Sequence, residues 1–161
     1  MEESYTNHVD TNIKKINNKE FCFLRDNSCF GNHGQLSVLL RNLKFYFDIK
    51  PTNKQLADAI FQVILCNIKH LIELCSLYRN SFSLPIFLGY EKNTWQYYKD
   101  IKTPTKVKQL YLEIALSEYL LIENYKKLIV NSESSKSDNL KKLILESEES
   151  IVYFSEQIKN A

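Results

Sequence analysis

The chain has little of what breaks helices. Its 161 residues include only three glycines and three prolines. Those residues punctuate turn-rich β folds, so their scarcity favours long helices. Charge of one sign is also lacking: 21 Lys and Arg stand against 19 Asp and Glu, a net of +2. Such a balance gives no electrostatic footprint for nucleic acid. No Cys-x-x-Cys occurs and no cysteine pair has zinc-knuckle spacing. A glycine-rich phosphate loop is missing too, since Gly31 and Gly34 are followed by no lysine at the required place. The stretch Met1 to Glu20 is polar, without the apolar core of a secretory signal. No run approaches the ~18 apolar residues of a membrane span. A cytoplasmic protein is expected, with neither nucleic acid nor membrane as partner.

What is present suits one folded domain. Hydrophobic residues make up 44% of the chain, enough to build a core rather than stay disordered. The four cysteines are Cys22, Cys29, Cys66 and Cys75. Cys66 and Cys75 fall in a helical pattern and read as small core residues. Cys22 and Cys29 flank a short segment, and a bond between them within one chain, a bond between chains and free thiols all remain open.

Residues 1–30 read as a polar arm followed by a strap, and 31–161 as a helical domain. A first helix is expected from about Asn32 to Asp48, with Asn32 and Gln35 in a capping-box spacing. Its stripe is Leu36, Leu39, Leu40, Leu43 and Phe47. A second spans about Asn53 to Asn80, with Thr52 and Gln55 as its box. Its inward side holds Leu56, Ile60, Val63, Ile64, Asn67, Leu71, Leu74 and Tyr78. Residues 80–103 form a long aromatic connection, with a short helix over 94–100. A third helix starts at Pro104 behind a Thr103 cap and runs to about Val130, with Val107, Leu110, Tyr111, Ile114, Glu118, Leu121, Tyr125 and Leu128 as its stripe. A fourth covers about Asp138 to Lys159, with Leu140, Leu143, Ile144, Ser147, Ile151, Phe154 and Ile158 inward. The connections run short, long, short. Two antiparallel hairpins joined by a long crossover give the ferritin-like four-helix bundle rather than a simple up-and-down one.

Polar residues interrupt the apolar stripes at telling places. Asn67 and His70 stand three apart in the second helix, Glu118 lies in the third and Glu148 in the fourth. Buried polar groups are costly unless partnered. Asn67 and His70 fit a hydrogen-bonded core pair, and Glu118 fits a partner for His70 across the bundle. Tyr111 and Tyr125 line the stripe near Glu118. Glu148, between Glu146 and Glu149, has an ambiguous helix phase. Cys66 and His70, four apart, share a helix face, but a reactive thiol there would need access and a lowered pKa.

On GQLSVLL, LCNIKHLIEL, LEIALSEYLLIENY and LESEESIVYF, residues 31–158 resemble the ferritin-like superfamily, in particular the bacterial proteins related to rubrerythrin and manganese catalase. The resemblance implies a dinuclear iron or manganese site with a Glu on the first and third helices and Glu-x-x-His on the second and fourth. In this chain Gln35, Asn67 and Ile151 stand at replaced ligand positions, while His70, Glu118 and Glu148 match. Two divalent ions bring four positive charges, and amides neutralise none of them. The metal site is therefore expected to be largely lost. His70, Glu118 and Glu148 remain as candidate ligands for at most one divalent ion: zinc, iron or manganese. A register that turned Glu149 or Glu73 inward would raise the ligand count. The expected function is non-catalytic, in assembly or as a structural or binding component, with a homo-oligomer or a protein partner. The alternative is a metal-binding oxidoreductase or storage protein.

Overall fold

A computed structural model of the protein describes residues 29, 31, 33–77, 101–130, 132 and 134–160. Among the described residues the chain is all-helical, with no strand. The expected arm and strap, apart from Cys29, and residues 80–100 of the aromatic connection with its short helix lie outside those residues, as do Asn32 and Tyr78.

Four helices lie among the described residues: α1 (Gln35–Ile49), α2 (Lys54–Leu77), α3 (Val107–Val130) and α4 (Ser134–Asn160). The α1–α2 turn is closed by Thr52 N–H and Asn53 N–H donating to Ile49 O, at 3.0 and 2.9 Å. Asn53, not Thr52, caps α2: its Oδ1 accepts from Leu56 N–H at 3.0 Å, satisfying a first-turn donor. α1 has Gly34 at its N-cap with no side-chain cap. Gln35 is therefore no capping-box member but a fully buried residue. Thr103 does not cap α3 either. Its hydroxyl donates to the Asp48 carboxylate near the end of α1, and α3 begins at Val107. α4 begins four residues before the expected start at Asp138, because the serines ahead of it tolerate helix.

The stripes of α2, α3 and α4 are largely as read. The exceptions on those helices are Leu71, Tyr111, Ile144, Ile151 and Ile158, which are half-buried, and Val107, which is exposed. α1 is rotated from its expected phase. Phe45 is fully buried and Phe47 is 65% exposed, while Leu36, Leu40 and Leu43 are half-buried. The buried residues of α1 are Gln35, Ser37, Val38, Leu39, Asn42 and Phe45, so Ser37 and Asn42 join Gln35 as polar residues turned to the interior. One apolar cluster joins Leu39, Phe45, Leu56, Ile60, Leu110, Ile114 and Phe154. The other joins Cys29, Val38, Leu74, Leu121, Tyr125, Leu128, Leu140 and Leu143. Each large side chain in them stabilises the fold by roughly 1.5–3 kcal/mol through burial. Asn67, His70 and Glu118 lie between the two clusters along α2 and α3.

α2 is long and apolar enough by length and composition to cross a membrane. A two-faced apolar helix has this composition as well, and α2 places Asn67 and His70 on its buried side.

Candidate functional site

Asn67 is the hub of a buried polar layer. Its Oδ1 accepts from Asn42 Nδ2 on α1 at 2.9 Å. Its Nδ2 donates to Glu118 Oε1 on α3 at 2.9 Å. Its backbone oxygen accepts from Gln35 Nε2 at 3.0 Å. Gln35 Oε1 in turn accepts from the Tyr125 hydroxyl. Alongside, Arg41 Nη1 donates to Ser117 Oγ at 2.7 Å. One amide thus ties three helices, which satisfies groups that would otherwise be costly to bury.

Glu118 is almost wholly buried. Burial pushes its carboxyl pKa up, and Asn67 and Ser147 pull the other way. The approach of Ser147 falls short of hydrogen-bond geometry, since Glu118 Oε2 and Ser147 Oγ are both without a partner. Asn42 Oδ1 and His70 Nδ1 are likewise buried and unpartnered among the described residues.

His70 lies beside this layer and faces a different neighbour. Side chains on a helix lean toward its N-terminus, which carries the imidazole back toward Cys66 one turn earlier. Cys66 Sγ lies 3.3 Å from His70 Nε2. The same nitrogen lies 3.0 Å from Glu146 Oε2 on α4. Lys69 Nζ donates to the other oxygen, Oε1, at 2.6 Å. Burial lowers the His70 pKa, with Glu146 opposing, so the ring is neutral near pH 7. An ionised carboxylate only accepts, so Nε2 carries the ring proton and Nδ1 is bare. Burial disfavours ionised Glu146, but Lys69 and His70 outweigh it and lower its pKa. Burial and then the Glu118 and Glu146 charges push the Cys66 thiol up to about 11. A reactive cysteine needs the opposite shift, so a Cys66–His70 nucleophile is not built here.

The sequence-derived ligand set is therefore partly reassembled. Gln35, Asn67, His70 and Glu118 are all buried, and Asn67 meets both Gln35 and Glu118. His70 pairs with Glu146 and not with Glu118. Glu148 is exposed and cannot join Glu118 inside, and Ile151 is half-buried. Glu149 and Glu73 are exposed as well. The reason is phase: α4 turns Leu143, Ser147 and Phe154 inward, which leaves Glu146 on the flank facing α2 and Glu148 outside. Sequence reasoning missed Asn42 and Glu146. Asn42 had a usable signal, lying seven residues after Gln35 on the same helix face. Cys29, expected as a possible disulfide partner of Cys22, is a free, buried thiol in an apolar cluster.

Cys66, His70 and Glu146 form a group able to hold a metal ion, their ligand atoms all within 4.8 Å of one another. No protein-family model matches this chain, and neither a curated protein nor a solved structure matches it.

Proposed function

We propose that this protein is a non-catalytic, ferritin-like helical bundle that works in assembly, with a hydrogen-bonded polar layer where a dinuclear metal centre would lie. The observation that carries the reading is the saturation of Asn67. Its side chain is engaged at both ends by Asn42 and Glu118, and Glu118 is the one buried carboxylate among the described residues. A single buried carboxylate cannot neutralise two divalent ions.

The pairing of the helices supports the crossover topology. Leu56 and Ile60 of α2 share a cluster with Leu110 and Ile114 of α3, and Leu74 shares the other with Leu121, Tyr125 and Leu128. That order fits α2 and α3 running in the same direction. A 24-residue helix is roughly 36 Å long, so the chain between the two must return over about that distance. Assembly is supported by a second apolar row on α2. Phe61, Leu65, Ile68 and Ile72 recur at helical spacing on the side away from the core, and Ile72 is 60% exposed. The occupant is a second copy of this chain.

Sedimentation velocity with parallel elemental analysis tests both halves. The wild type should sediment as an oligomer, and the Leu65→Lys/Ile72→Lys variant as a folded monomer. A wild type that stays monomeric at every concentration would overturn the assembly reading. Two iron or manganese ions per chain would overturn the non-catalytic one.

A further inference from the structure

We propose that Cys66, His70 and Glu146 bind one divalent cation of the zinc type, with water completing the coordination, and that the ion clips α2 to α4. This site stands apart from the assembly reading. It differs in two of its three ligands from the set suggested by sequence.

The geometry is close to what such an ion needs. Zinc lies about 2.3 Å from a thiolate sulfur and about 2.0–2.1 Å from an imidazole nitrogen or carboxylate oxygen. Tetrahedral bonds of those lengths separate sulfur from nitrogen by about 3.5 Å and nitrogen from oxygen by about 3.3 Å. Here Sγ and Nε2 are 3.3 Å apart, and Nε2 and Oε2 are 3.0 Å apart. Those two edges open by only a few tenths of an ångström to admit the ion, and the third, from sulfur to oxygen, lies within 4.8 Å. His70 is buried and fixed, while Cys66 and Glu146 are partly open to solvent, which supplies an entry path and room for the fourth ligand.

The donor set selects the ion. One thiolate and one imidazole disfavour magnesium, calcium and manganese and suit zinc or cobalt. Thiolate and carboxylate together cancel the charge of the ion. Lys69 holds Glu146 through Oε1 and leaves Oε2 for the metal. Glu118 and Glu149 add negative field at the Cys66 sulfur. A field that disfavours a bare thiolate favours a cation beside it.

Binding also has a defined proton balance. The Cys66 S–H bond breaks as the sulfur–metal bond forms, and that proton leaves to solvent. Nε2 gives its lone pair to the ion, so the ring proton moves to Nδ1. Nδ1 has no acceptor among the described residues, which holds affinity below that of a four-ligand structural site.

The clip matters because α2 and α4 belong to different hairpins. Between them the described hydrogen bonds and ion pairs are those of Lys69 and His70 with Glu146.

The test is titration of the chelator-treated full-length protein with zinc and with cobalt(II). One ion per chain, a tetrahedral cobalt spectrum with a thiolate charge-transfer band, and a zinc-dependent rise in Tm are expected. Cys66→Ser should abolish that band, and Cys66→Ser and Glu146→Gln should each weaken zinc binding by more than about a hundredfold. Both substitutions are mild enough to remain folded by circular dichroism, so the test does not depend on a His70 variant. Cys75→Ser and Glu148→Gln should leave affinity and spectrum unchanged. The proposal fails if no stoichiometric ion binds, if the band survives Cys66→Ser, or if Glu148→Gln rather than Glu146→Gln weakens binding.

Discussion

The interior around Asn67 and the edge around Cys66 are supplied by adjacent residues of α2, yet their polar atoms are satisfied in different ways. At Asn67 the amide donates and accepts inside a buried layer, and its partners come from α1 and α3. At Cys66 and His70 the partner is Glu146 on α4, whose side chain is 21% exposed and shared with Lys69. The first region is built of side chains from three helices that are all buried. The second brings three ligand atoms together and leaves a side open to water. Helix position fixes which residues are inward, and the neighbouring helix decides whether an inward polar group becomes a structural tie or a binding group.

Breaking the closed region should have the larger consequence. Asn67→Leu removes the hydrogen bonds to Glu118 Oε1 and Asn42 Nδ2 and leaves both groups buried. A loss of about 2–3 kcal/mol is expected in urea unfolding, since two buried polar groups are left without a partner. A loss below about 1 kcal/mol would mean that water reaches the layer.

Glu118→Gln should act in the opposite direction. The amide keeps an acceptor for Asn67 and gains a donor aimed toward Ser147 Oγ, so two unpartnered oxygens become one satisfied pair. The Glu118 pKa is raised by burial above its ordinary 4.5. The native state therefore holds this proton more tightly than the unfolded chain. Its contribution is complete below pH 4.5 and is lost as pH rises through the folded-state value. The variant should accordingly gain on the wild type as pH rises through that window. Equal stability profiles for the two proteins from pH 4 to 8 would contradict the assignment of Glu118 as a buried, strained acid.

At the edge, Glu146→Gln should change the stability of the metal-free protein by no more than about 0.5 kcal/mol, because near-surface pairs contribute little. The same variant should lose the zinc-dependent rise in Tm. A large effect without zinc would make this region as closed as the interior.

The polar residues that interrupt apolar stripes are legible in the sequence alone. Asn67, His70 and Glu118 break a 3.6-residue pattern, and their burial follows from that pattern. The phase of α1 is not legible in the same way. Leu36, Leu39, Leu40 and Leu43 share one face, but Val38, Leu39, Phe45 and Ile49 make a second about a third of a turn away, so the apolar pattern fits more than one rotation. Packing chose the one that turns Gln35 and Asn42 toward Asn67 and puts Phe45 inside in place of Phe47. The fourth helix misleads for a related reason. Glu146, Glu148 and Glu149 lie within four residues, and a shift of one residue turns a side chain by about 100° around the helix. Glu146 met His70, and Glu148 was left in solvent.

The sequence by itself determined four helices, short turns within each hairpin, and the inward placement of Asn67, His70 and Glu118. Helical periodicity and scarce glycine and proline are local properties, and they act ahead of any long-range contact. Only the tertiary structure decided that Asn67 would meet Asn42 and Glu118, and that His70 would meet Cys66 and Glu146. Those pairings depend on how one hairpin is rotated against the other. That rotation is set by close packing across the core, which no single segment encodes.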